Sequence, residues 1–218
     1  MDSADQRLKP DIGRLHVITD FHFQQRFSHA ELARYAIDGG ADTIQFRQKG
    51  GAIGNRLVAA RETASECQAS DVPLIIDDDI TLLLATEAAG VHLGSTDLPV
   101  AVARSILGNR YLIGGTATTV EQALKAESDG ADYIGFGPVY RTHSKSNPAS
   151  VKGIAGLKVV CNDVSIPVIA IAGITVDRIE EVLGSGAHGV AVMAAVTMAE
   201  NPREATLRLR EEIEHCTM

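Results

Sequence analysis

Eight short apolar runs, each followed by a longer amphipathic stretch, recur along this 218-residue chain with no break in composition between them. The runs span 15–20, 42–48, 73–78, 90–94, 111–117, 133–139, 167–173 and 189–196, and most are nearly continuous in Val, Ile and Leu. Strands of that composition suit a parallel sheet buried on both faces. The stretches 28–38, 55–69, 81–88, 100–107, 119–129, 153–160, 175–184 and 202–215 read as helices. Thr119 and Thr175 are expected N-caps, with Glu121 and Asp177 placing negative charge in the first turn. Several helices run into the next strand through a Gly-Ala step, as at Gly40-Ala41-Asp42, Gly130-Ala131-Asp132 and Gly186-Ala187-His188. Glycine there can take the left-handed conformation that stops a helix. Eight such βα units predict one closed (β/α)8 (TIM) barrel of the α/β class, a single domain over 1–218 with the barrel proper at about 14–216 and 1–13 as an N-terminal extension. The rival is a doubly wound open sheet, which would carry a Gly-rich nucleotide loop after the first strand. The first strand here ends Thr19-Asp20-Phe21-His22 instead.

The formal charge of −8 opposes binding to nucleic-acid backbones, and 4% aromatic residues with no Trp give little to stack bases on. No nucleic-acid partner is expected. Residues 1–10 lack the apolar segment of a signal peptide, and no apolar run approaches the roughly 20 residues that span a bilayer. The three widely spaced cysteines, Cys67, Cys161 and Cys216, suggest neither a zinc site nor a disulfide framework, so reduced thiols in a cytoplasmic protein are expected.

In a barrel of this kind chemistry sits at the C-terminal ends of the strands. Alternation puts Gln45, Arg47 and Lys49 on one face of the second strand end. Two cations at a barrel mouth are costly without an anion to neutralise them; the plainer reading, a solvated surface pair, is weaker because the segment is an expected core strand. The third strand ends Asp77-Asp78-Asp79 and the fourth continues through His92 to Asp97. One carboxylate from each of these neighbours makes a hard oxygen site that suits Mg²⁺ and substrate phosphates. Helix N-caps are the plainer role for Asp79 and Asp97, and a core histidine for His92. The sixth strand leads through Gly135 and Gly137 into a long polar loop carrying Thr142, His143, Ser144 and Lys145, as lids and binding loops often do. Backbone N–H groups at Gly173 and Met193–Ala194, after the seventh and eighth strands, lie where this fold recurrently binds phosphate.

Gln45-Phe46-Arg47-Gln48-Lys49, Asp77-Asp78, the run 90–97, the run 130–135 with Gly137-Pro138, Thr142-His143-Ser144-Lys145 and the run 167–174 together resemble the thiamine-phosphate synthase family, in order and at the right strand ends, from about 15 to 202. The resemblance implies a Mg²⁺-dependent transferase that joins hydroxymethylpyrimidine diphosphate to a thiazole phosphate, releasing pyrophosphate through a dissociative, carbocation-like pyrimidine. It implies Asp78 and Asp97 as metal ligands, with Arg47, Lys49 and Lys145 stabilising the departing anion. It implies pyrimidine-diphosphate contacts from Gln45, Phe46, Arg47, Gln48, Lys49, Asp77, Thr116 and Lys145. Thiazole-phosphate contacts would come from Thr142, Ser144, Gly173, Met193 and Ala194, with His143 between two of them. The expected partners are the two phosphorylated substrates and no membrane, and a homodimer stays open. Four positions depart from the pattern: Asp77 for Asn, Thr116 for Ser, Ala172 for the first of two glycines, and Ala194 for Ser. They keep two alternatives in view, a thiazole tautomerase-like isomerase and a non-catalytic phosphate-binding paralogue. The tautomerase branch carries an acid–base His where this chain has Thr118, and a threonine cannot exchange protons near neutrality.

Overall fold

Pairing between the first and last strands decides between the two architectures. In a computed structural model that describes residues 9–21, 24–142 and 150–217, Val17 lies in register with Val192, and the eight parallel strands close in sequence order. The chain runs β1 (Leu15–Thr19), α1 (His29–Asp38), β2 (Thr43–Phe46), α2 (Ile53–Ala69), β3 (Leu74–Asp77), α3 (Ile80–Leu84), β4 (Gly90–Leu93), α4 (Val100–Leu107), β5 (Leu112–Ala117) and α5 (Val120–Ser128). It continues through β6 (Tyr133–Phe136), α6 (Gly153–Asp163), β7 (Val168–Ile171), α7 (Ile179–Gly184), β8 (Gly189–Val192), α8 (Ala194–Thr197) and α9 (Pro202–His215). This is the (β/α)8 barrel expected from the alternation.

Strand alternation sorts the side chains into two layers. Ile44 and Phe46 of β2, Ile76 of β3 and Ile134 and Phe136 of β6 point outward and join one large cluster with the helices. Burying each such side chain contributes about 1.5–3 kcal/mol. The lumen holds a much smaller apolar cluster of Ile18, Tyr133, Ile169 and Ala191. The remaining inward positions include buried His16 and Gln45. A polar lumen is a core only if its groups find partners, and most of them do so toward the C-terminal end.

The N-terminal face is fastened by the aspartates that follow the Gly-Ala steps. Gly40 and Gly130 have φ of 91° and 95° and end α1 and α5. The Asp42 carboxylate then accepts from the backbone N–H groups of Arg14 and Leu15, both at 2.9 Å, and from Arg210 at 2.6 Å. Asp132 accepts from the Ile113 N–H at 2.7 Å, from Arg104 at 2.6 Å and from Lys9 at 2.6 Å. Two of the three Gly-Ala steps thus lead into the same kind of carboxylate clasp.

Three local expectations are corrected. Thr119 caps α5 by accepting from the Gln122 N–H, but Thr175 precedes a 3-10 turn, Val176–Arg178, and makes no capping bond. The run 189–196 is strand only to Val192 and becomes helix at Ala194. The stretch 81–88 keeps only a short helix ending at Leu84.

Candidate active site

The ends of β1 to β4 assemble a mixed-charge cluster. Arg47, just past β2, pairs with Asp20, just past β1, and its Nε lies 3.8 Å from Asp77 Oδ2. Gln45 Nε2 donates to Asp77 Oδ1. Lys49 reaches the next strand end and sets its Nζ 2.6 Å from Asp78 Oδ2. The two cations differ in exposure: the Arg47 side chain is 16% exposed and that of Lys49 52%. Phe46 faces the other way, its ring centroid 4.3 Å from that of His29 with the planes tilted by 43°, in the outer layer. Gln48 turns back to the Gly50 carbonyl. Of the run 45–49, the side chains of Gln45, Arg47 and Lys49 are therefore the ones that share the mouth, as alternation requires.

Asp78 occupies the left-handed region, with φ of 69°. Aspartate tolerates that conformation better than most residues, and such strain concentrates at functional sites. Its N–H donates to the His92 carbonyl, tying the end of β3 to β4. The Asp97 carboxylate accepts from the Gly94 N–H at 2.7 Å and lies beside Asp78. Burial and then the contact with Asp78 raise the Asp97 pKa. Neither carboxylate caps a helix: Asp79 caps α3, and Pro99 stands at the start of α4. Among the described residues no group of three or more His, Cys, Asp or Glu could hold a metal. Two neighbouring carboxylates instead fit a hard divalent cation that keeps waters and takes its other oxygens from a bound phosphate. A cavity of about 500 Å³ opens beside them, lined by Lys49, Arg56, Asp78, Asp79, Ile80, Leu98 and Ile106.

Asp77, the residue that departs from the expected Asn, is 8% exposed. Burial, then the charge of Asp78, pushes its pKa up to about 7 against the opposing pull of Gln45 and Arg47. A carboxyl drawn toward its neutral form comes closer to a carboxamide in charge than the bare substitution suggests. Thr116, on β5, meets His92 Nε2 at 2.9 Å. Thr118 has a structural job: its N–H and hydroxyl both bond the Gln122 carboxamide oxygen, at 2.8 and 3.0 Å.

On the far side, Ala172 and Gly173 follow β7 with φ of 81° and 69°. The Gly173 carbonyl accepts from Arg178 at 2.5 Å, and Arg178 lies over the Tyr140 ring. Met193 joins the lumen cluster, and Ala194 begins α8. Thr142 stands at the edge of the described part of the β6–α6 loop; His143, Ser144 and Lys145 lie outside the described residues. Asp20 and Tyr133 are the polar members that sequence reasoning left out; His92, expected as a core histidine, is hydrogen-bonded to Tyr133 and Thr116. Asp20 is the last residue of an expected strand, but only the pairing of β1 with β2 sets it beside Arg47.

A closed barrel with cations and paired carboxylates gathered at its C-terminal rim belongs to the phosphate-handling class of (β/α)8 enzymes. Residues 15–196 match the family described as thiamine monophosphate synthase. The chain is 58% identical over 208 residues to the thiamine-phosphate synthase of Salinibacter ruber, covering 95% of this chain and 92% of that protein. It is 43% identical over 196 residues to the thiamine-phosphate synthase of Methanocella arvoryzae, covering 90% and 92%. The solved thiamine phosphate pyrophosphorylase from Pyrococcus furiosus superposes with a TM-score of 0.86 at 37% identity, covering 94% of this chain and 97% of that one. The chain therefore belongs to the thiamine monophosphate synthase family.

Proposed function

We propose that the chain is a thiamine-phosphate synthase that joins the methylene of hydroxymethylpyrimidine diphosphate to the nitrogen of a thiazole phosphate and releases pyrophosphate. One observation carries this reading: Arg47 and Lys49 from the end of β2 converge on Asp77 and Asp78 at the end of β3, and the Lys49 charge also acts on Asp97 beyond β4. A site that only held a phosphate would have no use for a cation-binding carboxylate pair beside its own basic groups. Thr118, locked onto Gln122, argues against the tautomerase alternative.

In this reading Asp78 and Asp97 hold Mg²⁺, whose charge would offset that of the diphosphate when bound. Arg47 and Lys49 stand where negative charge develops as the carbon–oxygen bond to the diphosphate lengthens, and their electrostatic pull lowers that barrier. Arg47 is held in place by Asp20, so it needs no reorganisation as charge builds. Gln45, Asp77 and Thr116 present polar groups toward the lumen and orient the pyrimidine ring. Lys145, with Thr142, His143 and Ser144, would approach from the β6–α6 loop. The backbone at Gly173, Met193 and Ala194 would receive the thiazole phosphate. The chemistry asks for no general base of high strength, because the attacking nitrogen carries a lone pair. Three unpaired cysteines fit a reducing cytoplasm, and no helix among the described residues is long and apolar enough to cross a membrane.

The test is direct. Pure protein incubated with both substrates and Mg²⁺ should form thiamine phosphate and pyrophosphate in equal amounts. Absence of pyrophosphate across a range of pH and metal concentration would sink the reading.

A further inference from the structure

His92 sits inside the barrel, and the two strands beyond its own are cut away around it. A Cβ on Gly135 of β6 would stand 2.8 Å from His92 Cε1 and 3.2 Å from Nε2. A Cβ on Gly114 of β5 would collide with the imidazole and with the Tyr133 ring. Glycine inside a strand weakens it, so two at these positions mark space made for other side chains. In that slot the imidazole stacks on the Tyr133 ring, with centroids 5.5 Å apart and planes at 28°. Nδ1 meets the Tyr133 hydroxyl at 3.2 Å, and Nε2 meets Thr116 Oγ1 at 2.9 Å.

The chain of bonds has a direction. Tyr133 is 1% exposed, and burial raises its phenol pKa, so the hydroxyl keeps its proton. A neutral phenol donates better than it accepts, and the bare nitrogen of an imidazole is the better acceptor of the two. Tyr133 therefore donates to Nδ1. The ring proton then lies on Nε2 and is donated to Thr116 Oγ1. The Thr116 hydroxyl, accepting from His92, has its own proton left to give.

We propose that His92 is a positioning residue: backed by Tyr133, it fixes the Thr116 hydroxyl as a donor and so selects a pyrimidine whose facing edge is an unprotonated ring nitrogen. The inference rests on the assignment of Thr116 to the pyrimidine under the proposed function. It deepens that assignment from a contact to a hydrogen-bond polarity.

Two measurements test it. The first is ¹⁵N NMR of the histidine rings in the unliganded protein, with the His92 signals identified by their loss in His92→Phe. An Nε2–H tautomer is expected, and an Nδ1–H tautomer overturns the polarity. The second compares steady-state kinetics of His92→Phe, Thr116→Val and the double variant. Each single change should raise KM for the pyrimidine diphosphate about tenfold, the loss of one hydrogen bond, while KM for the thiazole phosphate stays within about twofold. The double variant should be no worse than Thr116→Val alone, because His92 acts through that hydroxyl. Additive losses, or equal losses for both substrates, overturn the inference. Should His92→Phe fail to fold, Tyr133→Phe carries the same comparison. It removes the donor that fixes the tautomer and should again raise KM for the pyrimidine alone. Wild-type protein that forms no thiamine phosphate would sink the function and leave the tautomer result standing. Wild-type turnover with additive variants would sink this inference alone.

Discussion

Ala172 is the residue whose conformation is least at ease with its side chain. A φ of 81° suits glycine, and a Cβ there clashes with the backbone. Ala172→Gly should therefore stabilise the protein by about 1 kcal/mol, or leave it level if the greater freedom of unfolded glycine offsets the strain. Urea unfolding reads the change, and a loss above about 1 kcal/mol would show that the Ala172 methyl packs more than it strains. Its neighbour allows no such exchange. A Cβ on Gly173 would lie 2.7 Å from Tyr140 Cβ and 2.8 Å from the Arg141 carbonyl oxygen. Gly173→Ala should push the β6–α6 loop outward and weaken thiazole-phosphate use; an unchanged KM for that substrate would remove Gly173 from the site. The departure at Ala172 was visible in the sequence, but its meaning was not, because a dihedral angle is set by the loop's closure against Tyr140 and has no signature in composition.

At the scale of elements, the end of β2 carries two cations with different duties. Arg47 is largely buried against Asp20, which is 5% exposed, so Arg47→Ala leaves a carboxylate in the interior without its guanidinium. It should cost roughly 3 kcal/mol of stability as well as turnover. Lys49 is half exposed, so Lys49→Ala should change stability by less than about 0.5 kcal/mol while lowering kcat at least 100-fold, on the order of one lost charge stabiliser. Denaturation curves beside kinetics for both variants separate the two effects; matching stability losses would contradict the difference in burial. Period-2 alternation made Gln45, Arg47 and Lys49 legible as one face. The partner Asp20 was less legible, since one carboxylate at a strand end looks like any loop residue until β1 and β2 are placed side by side. Asp97 was ambiguous for the opposite reason. Asp-Leu-Pro opens a helix well on paper, yet the carboxylate turns back to the Gly94 N–H and to Asp78. The switch from β8 to α8 was hidden because strand-favouring Val and helix-favouring Ala and Met alternate across it in one unbroken apolar run.

For the molecule as a whole, closure of the sheet was readable from eight apolar runs, whereas two buried histidines, one in the lumen and one between α1 and the sheet, were not. His16 and His29 are 2% and 1% exposed, and burial lowers the pKa of each to about 4. Between pH 6.5 and about 4 the unfolded chain takes up protons that the native state refuses. Stability should thus be full above pH 6.5 and fall as pH drops toward 4, by on the order of 2–3 kcal/mol per histidine. Urea midpoints at pH 7 and pH 4.5 measure the fall, and His16→Phe should flatten part of it. An unchanged slope in that variant would mean that the imidazole is not the group being charged.

The clasps built by Asp42 and Asp132 close the floor of the barrel with the backbone amides of Arg14, Leu15 and Ile113 and with the side chains of Lys9, Arg104 and Arg210, residues that take no part in the cluster at the rim. Rigidity and reactivity are thereby assigned to opposite ends of one cylinder. An engineer who redrew the rim for another phosphorylated heterocycle would inherit a foundation already complete, and could judge each revision by its chemistry alone.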